Sequence, residues 1–210
     1  MERFQSGTSR IEFWFDFASN YSYLSTARIG DLARAQSVVI DWKPFLLGPI
    51  FRSLGMETSP FVLQKEKGAY VWKGMARRCS KYGLAPWSQP SAFPRSSVLA
   101  ARIAVLALGA DWMERFCRRV FELNFVDDRD ISDLDEMTRL LGSLGLPAGL
   151  IEDAQSEPVK QKLRSQTDEA QRCGIFGAPM FFVGGEMFWG DDRLEDALCH
   201  AANGGAGRVE

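Results

Sequence analysis

The first 42 residues show three successive patterns of apolar and polar positions. Residues 11–17 are rich in aromatic side chains, and their two polar residues fall on one side of a period-two ribbon, which predicts a strand. Apolar residues at helical spacing follow over residues 21–35, after Ser19 and Asn20, which are both good helix N-caps. Residues 38–42 again have strand chemistry. The pattern predicts a βαβ unit, with a right-handed crossover if the strands are parallel.

The middle of the chain is dominated by helical patterns. Residues 43–59 contain prolines and glycines and predict an irregular connection. Pro60 follows Ser59 as a proline does at the first position of a helix, and helical spacing continues to about Tyr82. A proline-rich loop covers residues 84–94. Helical spacing then returns in five segments, at about residues 96–108, 111–124, 132–144, 147–153 and 157–172.

The end of the chain returns to strand chemistry. Residues 174–183 and 186–189 predict two strands, and the Gly184-Gly185 pair between them is a two-residue hairpin signal. A last helix is predicted at about residues 193–200, with acidic residues at its N-terminal end, where the helix dipole favours them.

The order of these elements is βαβ, then several helices, then ββα. That order predicts an α/β fold, a thioredoxin-like domain with a large all-helical insertion, although order alone leaves this as one of a few options. We place the discontinuous thioredoxin-like domain at residues 10–58 and 165–203, and the helical insertion at residues 59–164.

Composition and charge exclude several classes of protein. Of the 210 residues, 46% are hydrophobic and 25% are charged, which is typical of a soluble globular chain. The formal net charge of −2 gives no electrostatic footprint for nucleic acid. The longest nearly apolar run, residues 98–110, is interrupted by Arg102 and is too short to span a bilayer. We therefore expect neither a nucleic-acid partner nor a membrane segment.

The histidine and cysteine residues restrict the chemistry further. His200 is the single histidine, so a zinc site built on several histidines is excluded and no metal is expected. None of the cysteines is paired at Cys-x-x-Cys spacing, which excludes a zinc ribbon and a dithiol redox motif. With no apolar signal-peptide stretch in the first ten residues, we expect free thiols and a cytoplasmic protein. The four cysteines are Cys79, Cys117, Cys173 and Cys199.

Four stretches carry motifs in a fixed order. They are Phe-Asp-Phe-Ala-Ser-Asn-Tyr-Ser-Tyr-Leu at 15–24, Trp-Lys-Pro-Phe-Leu-Leu at 42–47, Phe-Pro at 93–94, and Phe-Gly-Ala-Pro-Met at 176–180 with Phe-Trp-Gly-Asp-Asp-Arg-Leu at 188–194. Together they resemble the 2-hydroxychromene-2-carboxylate isomerases and the related kappa-class glutathione transferases. The resemblance covers roughly residues 11–200. It implies a DsbA-like arrangement, in which an all-helical insertion interrupts a thioredoxin fold, with glutathione as the cofactor.

Ser19 is the candidate catalytic residue. A thioredoxin-like fold places its reactive sulfur at the N-terminus of the first helix, where N–H groups and the helix dipole stabilise an anion. Residues 19–22 are Ser-Asn-Tyr-Ser, so no protein thiol is available there. The resemblance implies that the sulfur of glutathione takes this place and that Ser19 donates a hydrogen bond to it. On spacing alone, Ser19 could be only an N-cap.

The residues after the insertion supply further expected contacts with glutathione. Ala178-Pro179 resembles the family's cis-proline loop, where the backbone of the residue before the proline pairs with the cysteinyl unit. The turn of Gly190, Asp191 and Asp192 matches the position that binds the γ-glutamyl end. Backbone N–H groups there take its carboxylate, and an acidic side chain takes its ammonium. Capping and binding are equally open for the two aspartates.

Two further sets of residues are tied to the cavity by the resemblance. Lys67 matches a lysine near the glycyl carboxylate of glutathione, or it belongs to a solvated charge run at residues 65–67. For an aromatic acid as substrate, a cation would bind the carboxylate and an aromatic ring would form the apolar wall. The substrate-side candidates, all expected on loops beside the cleft, are Lys43, Arg52, Phe93 and Ser97.

The chain departs from the family pattern at three places. Asn20 stands where the family has proline, so the turn is less rigid, but we expect the site to survive and include Asn20 in it. Gly74 stands where many relatives have an acidic residue, and Met56 where several have asparagine. Because of these two changes, the family's contacts in the second-substrate pocket cannot be assigned in detail to this chain.

The resemblance implies a glutathione-dependent isomerase that acts on a small aromatic or bicyclic substrate, and we expect a homodimer. Two alternatives stay open. One is a kappa-like transferase or peroxidase that consumes glutathione at the same Ser19 site. The other is a non-catalytic glutathione-binding module, which the changes at Asn20, Met56 and Gly74 favour.

Overall fold

A computed structural model describes residues 9–204 of the chain. Four strands and ten α-helices form the fold in the order βαβ, eight helices, ββα. The strands are β1 (Arg10–Phe15), β2 (Val39–Pro44), β3 (Met180–Val183) and β4 (Glu186–Trp189). The helices are α1 (Asn20–Ala35), α2 (Leu47–Ser53), α3 (Pro60–Leu63), α4 (Lys65–Lys81), α5 (Val98–Leu106), α6 (Met113–Phe125), α7 (Leu134–Ser143), α8 (Leu150–Asp153), α9 (Glu157–Arg172) and α10 (Leu194–Ala202).

The four strands form one mixed sheet in the order β2-β1-β3-β4. Strand β1 pairs with β2 in parallel and with β3 in antiparallel orientation, and β3 and β4 form a hairpin. Gly184 and Gly185 have φ angles of 57° and 93°, so both turn residues need the left-handed region that glycine adopts freely. The βαβ opening, the hairpin and the thioredoxin-like fold class are confirmed.

The core lies on both faces of β1, because this strand is in the middle of the sheet. Phe13 and Phe15 point to one face, and Trp14 points to the other, where it packs against Phe45 at 6.1 Å between ring centroids. On the first face Phe15 also contacts Phe121 of α6 at 6.2 Å. The core therefore continues from the sheet into the helical insertion. The division of the chain into two domains stays a prediction.

Helix α2 corrects the prediction of an irregular connection over residues 43–59. Leu46, its N-cap residue, has no side-chain cap of its own. The Asp16 carboxylate, which lies at the end of β1, accepts instead from the Leu47 amide at 2.6 Å. A cap supplied by a residue 31 positions away leaves no local signal in the sequence.

The long helix predicted from Pro60 to about Tyr82 is divided in two. Gln64, with φ −113° and ψ 88°, breaks it into α3 and α4. Helix α4 then packs against α3 at a glycine: a Cβ on Gly68 would lie 2.3 Å from the Phe61 carbonyl oxygen. The close approach of the two helices requires a residue without a side chain at position 68.

Gly68→Ala should lower the free energy of unfolding by about 1–3 kcal/mol, because the added methyl group overlaps backbone atoms that cannot rotate away. Gly74→Ala is the matched control in the same helix, since a Cβ there has nothing within 4 Å. That control should raise stability by about 0.5–1 kcal/mol. Urea unfolding curves compare the two variants. Equal stabilities of both alanine variants would refute the steric account of Gly68.

Within residues 9–204, no helix has the length and apolar character needed to cross a membrane. The first eight residues, which include most of the stretch without signal-peptide character, lie outside the described residues.

Candidate active site

A cavity of about 1110 Å³ opens at the carboxyl end of β1 and the N-terminus of α1. The turn that joins these two elements lies on one side of the cavity, and the helical insertion lies on the other. The structure brings most of the predicted site residues to its wall. They are Ser19, Asn20, Arg52, Lys67, Phe93, Ser97, Ala178, Gly190, Asp191 and Asp192.

Ser19 is the N-cap of α1 and one wall of the cavity. Its hydroxyl oxygen accepts from the Ser22 amide at 3.2 Å, and its hydroxyl group donates to the Ala178 carbonyl at 2.9 Å. The side chain is 6% exposed. The hydroxyl hydrogen of Ser19 therefore lies between its own oxygen, at the N-terminus of α1, and the carbonyl of Ala178, the residue before Pro179.

The Ala178–Pro179 peptide bond is cis, as predicted. Pro179 itself does not line the cavity, but its carbonyl accepts from the Gly190 amide at 3.1 Å. This bond connects the proline loop to the turn that carries the two aspartates. The Ser19 hydroxyl donates its hydrogen bond to the Ala178 carbonyl. If a ligand accepted that hydrogen bond instead, the Ala178 carbonyl could accept one from another donor.

Asp16 is a site residue that sequence reasoning missed. Its carboxylate is 3% exposed and accepts from the amides of Ala18 at 2.9 Å and Leu47 at 2.6 Å, and it is hydrogen-bonded to Ser97. Burial raises the pKa of the Asp16 carboxyl, and these hydrogen bonds act in the opposite direction. Asp16 therefore connects the Ser19 turn to the N-terminal ends of α2 and α5. A polar residue where a strand ends is the signal that could have found it.

The turn before Ser19 has a second polar support. The Asn124 amide group donates to the Phe17 carbonyl at 3.0 Å, and Arg95 donates to the Asn124 side-chain oxygen at 3.0 Å. Arg95 is buried and also donates to Asp128 at 2.5 Å. The helical insertion thus helps to position the turn that carries Ser19.

Asp191 does not offer a free carboxylate to the cavity. It is 1% exposed, and its oxygens contact Arg78 at 2.6 Å, the Tyr82 hydroxyl at 3.4 Å and Arg28 at 3.8 Å. Burial raises the pKa of the Asp191 carboxyl, while the two arginines act in the opposite direction. Asp192, by contrast, is exposed, so of the two aspartates only its carboxylate is accessible from the cavity.

The substrate-side candidates are only partly brought together. Arg52 lies on α2 rather than on a loop, and Ser97 is the N-cap of α5. Phe93 packs edge-on against Trp72 at 4.7 Å. The prediction that Lys43 lies on a loop beside the cleft is wrong. It belongs to β2, its ammonium lies 4.0 Å from Glu169 of α9, and it does not line the cavity.

Two tyrosines follow Ser19 in α1 and have different surroundings. Tyr21 lines the cavity, and its ring contacts Phe61 edge-on at 6.0 Å. Tyr23 is buried, and its ring packs against the rings of Phe121 and Phe125 in the core. Burial also raises the pKa of the Tyr23 hydroxyl, so it stays protonated at neutral pH. Tyr23 is therefore a packing residue.

Tyr23→Phe should change turnover by less than about threefold, since the ring that fills the core is retained and the lost hydroxyl does not line the active cavity. Steady-state kinetics measure this. A hundredfold loss would show that the phenol takes part in the reaction.

The described part of the chain contains no group of three or more histidine, cysteine or acidic side chains that could hold a metal ion. The polar groups that line the cavity are instead hydroxyls at helix N-termini, among them Ser19 and Ser97, together with backbone groups and side chains of both charges.

Comparison with known proteins identifies the family. The family model of the DsbA-like thioredoxin domain matches residues 10–200. The chain belongs to the DsbA-like thioredoxin family, and its relatives include the enzymes that the sequence motifs resemble.

The relatives cover nearly the whole chain. A 2-hydroxychromene-2-carboxylate isomerase of Sphingobium xenophagum is 31% identical over 191 residues, which span 90% of this chain and 95% of the relative. Glutathione S-transferase kappa 1 of Rattus norvegicus is 26% identical over an alignment that covers 88% of this chain and 87% of the transferase. A solved structure of 2-hydroxychromene-2-carboxylate isomerase superposes with a TM-score of 0.81 at 25% identity, covering 94% of this chain and all of the other. These findings confirm the resemblance.

Proposed function

We propose that the protein is a glutathione-dependent isomerase of a small aromatic substrate, in which Ser19 stabilises the glutathione thiolate. The observation that carries the proposal is the Ser19 hydroxyl, which lies at the N-terminus of a 16-residue helix and in the wall of the cavity. No cysteine occupies residues 19–22, so a dithiol reaction has no protein sulfur there. The isomerase relative, at 31% identity, supports the reaction class.

We assign one group in the cavity to each part of glutathione. The Ser19 hydroxyl would hold the sulfur, and the Ala178 backbone would pair with the cysteinyl unit. Asp192 would take the γ-glutamyl ammonium, and Lys67 the glycyl carboxylate. The cavity volume of about 1110 Å³ is slightly above the usual range for ligand sites, about 300–1,000 Å³, which leaves room for a second small molecule beside the peptide.

Bound glutathione supplies a thiolate that can add to an electron-poor carbon and leave it again. Ser19 favours the ionised sulfur because its hydroxyl donates a hydrogen bond to the thiolate instead of to the Ala178 carbonyl. Lowering a thiol pKa of about 8.5 by two units takes about 2.7 kcal/mol. One charge-assisted hydrogen bond of about 1.5–3 kcal/mol, together with the end of the α1 dipole, supplies that amount.

The other wall of the cavity positions the substrate. Phe93 offers an aromatic face, and Arg52 offers a cation for a carboxylate. The rate gain then comes from thiolate activation and positioning and not from a covalent bond to the protein.

A second candidate, a kappa-like transferase, is favoured by the 26% identity to a kappa transferase. Product analysis separates the two functions. The purified protein is incubated with glutathione and an enone of an aromatic 2-oxo acid, and both isomer and free glutathione are measured over time. Many turnovers at constant glutathione support the isomerase, whereas one conjugate per glutathione lost supports the transferase. Tight binding of glutathione with no product on any enone would refute both.

The homodimer and the cytoplasmic location stay predictions. Light scattering of the purified protein tests the first, and fractionation of the source cells tests the second.

A further inference from the structure

The Arg78 side chain is a charged group of the cavity wall that the roles assigned above leave unused. Its Nη1 donates to an Asp191 carboxylate oxygen at 2.6 Å. Its guanidinium carbon lies 5.4 Å from the centroid of the Tyr21 ring, which is within the range of a cation–π contact. The Arg78 side chain is 33% exposed, whereas that of Asp191 is 1% exposed. The pair therefore presents its cationic member to the cavity.

Asp191 is held in place by more than this one bond. Arg28 donates to the Asp191 backbone carbonyl at 2.9 Å, and Tyr82 donates to the carboxylate at 3.4 Å. The other N–H groups of Arg28 go to the Leu24 carbonyl and to Glu195, so its charge stays within the protein. Because these contacts fix the buried Asp191 carboxylate, its hydrogen bond with Arg78 also fixes the position of the Arg78 guanidinium.

Arg78 differs from Arg28 in the use of its donors. Within residues 9–204, Asp191 is the one protein group to which Arg78 donates a hydrogen bond. A guanidinium has five N–H donors in a planar fork, so several of them are open to a ligand. The fork matches the two oxygens of a carboxylate.

We propose that Arg78 binds the α-carboxylate at the γ-glutamyl end of glutathione and that Asp191 is its positioning residue. This inference rests on the function proposed above. Arg78 contacts the same turn, Gly190 to Asp192, that the resemblance assigns to the γ-glutamyl end. The exposed Asp192 carboxylate is left for the ammonium on the same carbon. One turn and one arginine then bind both charges of that end.

A pair of thiols tests the assignment, because cysteinylglycine is glutathione without its γ-glutamyl end. Calorimetry measures the Kd of both thiols for the wild type, Arg78→Gln, Arg78→Lys and Arg77→Gln. Arg78→Gln should raise the Kd of glutathione by about 10- to 100-fold and that of cysteinylglycine by less than about threefold. Arg78→Lys keeps the charge but loses the fork, so its effect should be intermediate. Arg77 is the neighbouring cation on α4 outside the cavity wall, and Arg77→Gln should change neither Kd.

Each other outcome overturns the assignment in a distinct way. Equal weakening of both thiols by Arg78→Gln would show a structural role only. Unchanged binding of both would show that Arg78 makes no contact. Equal affinity of the wild type for the two thiols would leave the thiolate site standing but remove the γ-glutamyl site. If the wild type bound neither thiol, the proposed function would fail and this inference with it.

Discussion

We expect Ser19→Ala to lower turnover at neutral pH by about 10- to 100-fold. The variant loses one charge-assisted hydrogen bond to the sulfur, worth about 1.5–3 kcal/mol, so the thiol pKa of bound glutathione should rise by about 1–2 units. Turnover should recover partly as the pH is raised, because hydroxide then forms the thiolate that the enzyme no longer stabilises. Glutathione binding should weaken less than turnover, since the contacts proposed for the Ala178 backbone and Asp192 are unchanged in this variant. A pH profile of kcat measures all of this.

Two further variants sharpen that experiment. Ser80→Ala removes a hydroxyl from the exposed surface of α4 and should leave the profile unchanged. Ser19→Cys should form a mixed disulfide with oxidised glutathione, since the new thiolate attacks the disulfide and one glutathione thiolate leaves. If Ser19→Ala kept the wild-type profile, the helix terminus alone would activate the sulfur, and the role given to Ser19 would be wrong.

Asp16→Ala should lower the free energy of unfolding by about 2–4 kcal/mol at neutral pH. It leaves the amides of Ala18 and Leu47 without their acceptor, at about 1–3 kcal/mol for each buried donor, less what is regained by no longer burying a charge. Because the turn that carries Ser19 loses this support, turnover should also fall about tenfold. Urea unfolding and steady-state kinetics measure the two effects.

The pH dependence of the stability of Asp16→Ala, relative to the wild type, tests whether the pKa of the Asp16 carboxyl is raised in the folded protein. Burial raises the Asp16 pKa above its unfolded value, which is about 3.9. A raised carboxyl pKa contributes stability that is fully present below the unfolded pKa and is lost as the pH rises through the folded pKa. The stability gap between wild type and Asp16→Ala should therefore narrow from about pH 4 upward and then stay constant. A gap that widens with pH would contradict this sign. Asp31→Ala, an exposed carboxylate in surface ion pairs, is the control and should cost less than about 1 kcal/mol.

The parts of the fold that could be predicted are those whose causes are local in sequence. The aromatic strand β1 and the hairpin between β3 and β4 follow from side-chain pattern and from two adjacent glycines. Helix α1 begins at Asn20, directly after the Ser19 cap. In each case the residues that determine the structure are neighbours along the chain.

Helix α2 was missed because its cause is distant. Its first amide is satisfied by Asp16, which lies at the end of another element, while Gly48 and Pro49 within the helix argue locally for an irregular connection. Lys43 was misplaced for a related reason, since the length of β2 decides whether it is in a strand or a loop. Its pairing with Trp14 in the parallel register fixes it in the sheet.

The chemistry of the site was predictable only where a motif carried it. Sequence motifs predicted Ser19, Ala178 and the Gly190–Asp192 turn as site residues. The structure places all of them in the wall of the cavity. The burial of Asp191 was not predictable, because its partner Arg78 is 113 positions away. Charge pairs between distant helices leave no pattern in a single sequence.

The most direct test of the account is the thiol pKa of glutathione bound to the wild-type protein. Ultraviolet absorbance of the thiolate, titrated against pH with protein in excess, reports this value. The account predicts a pKa lowered by about two units from the free value of about 8.5, and a loss of most of that shift in Ser19→Ala. A bound thiol that titrates at its free value in the wild type would contradict the claim that this helix terminus and Ser19 stabilise a thiolate.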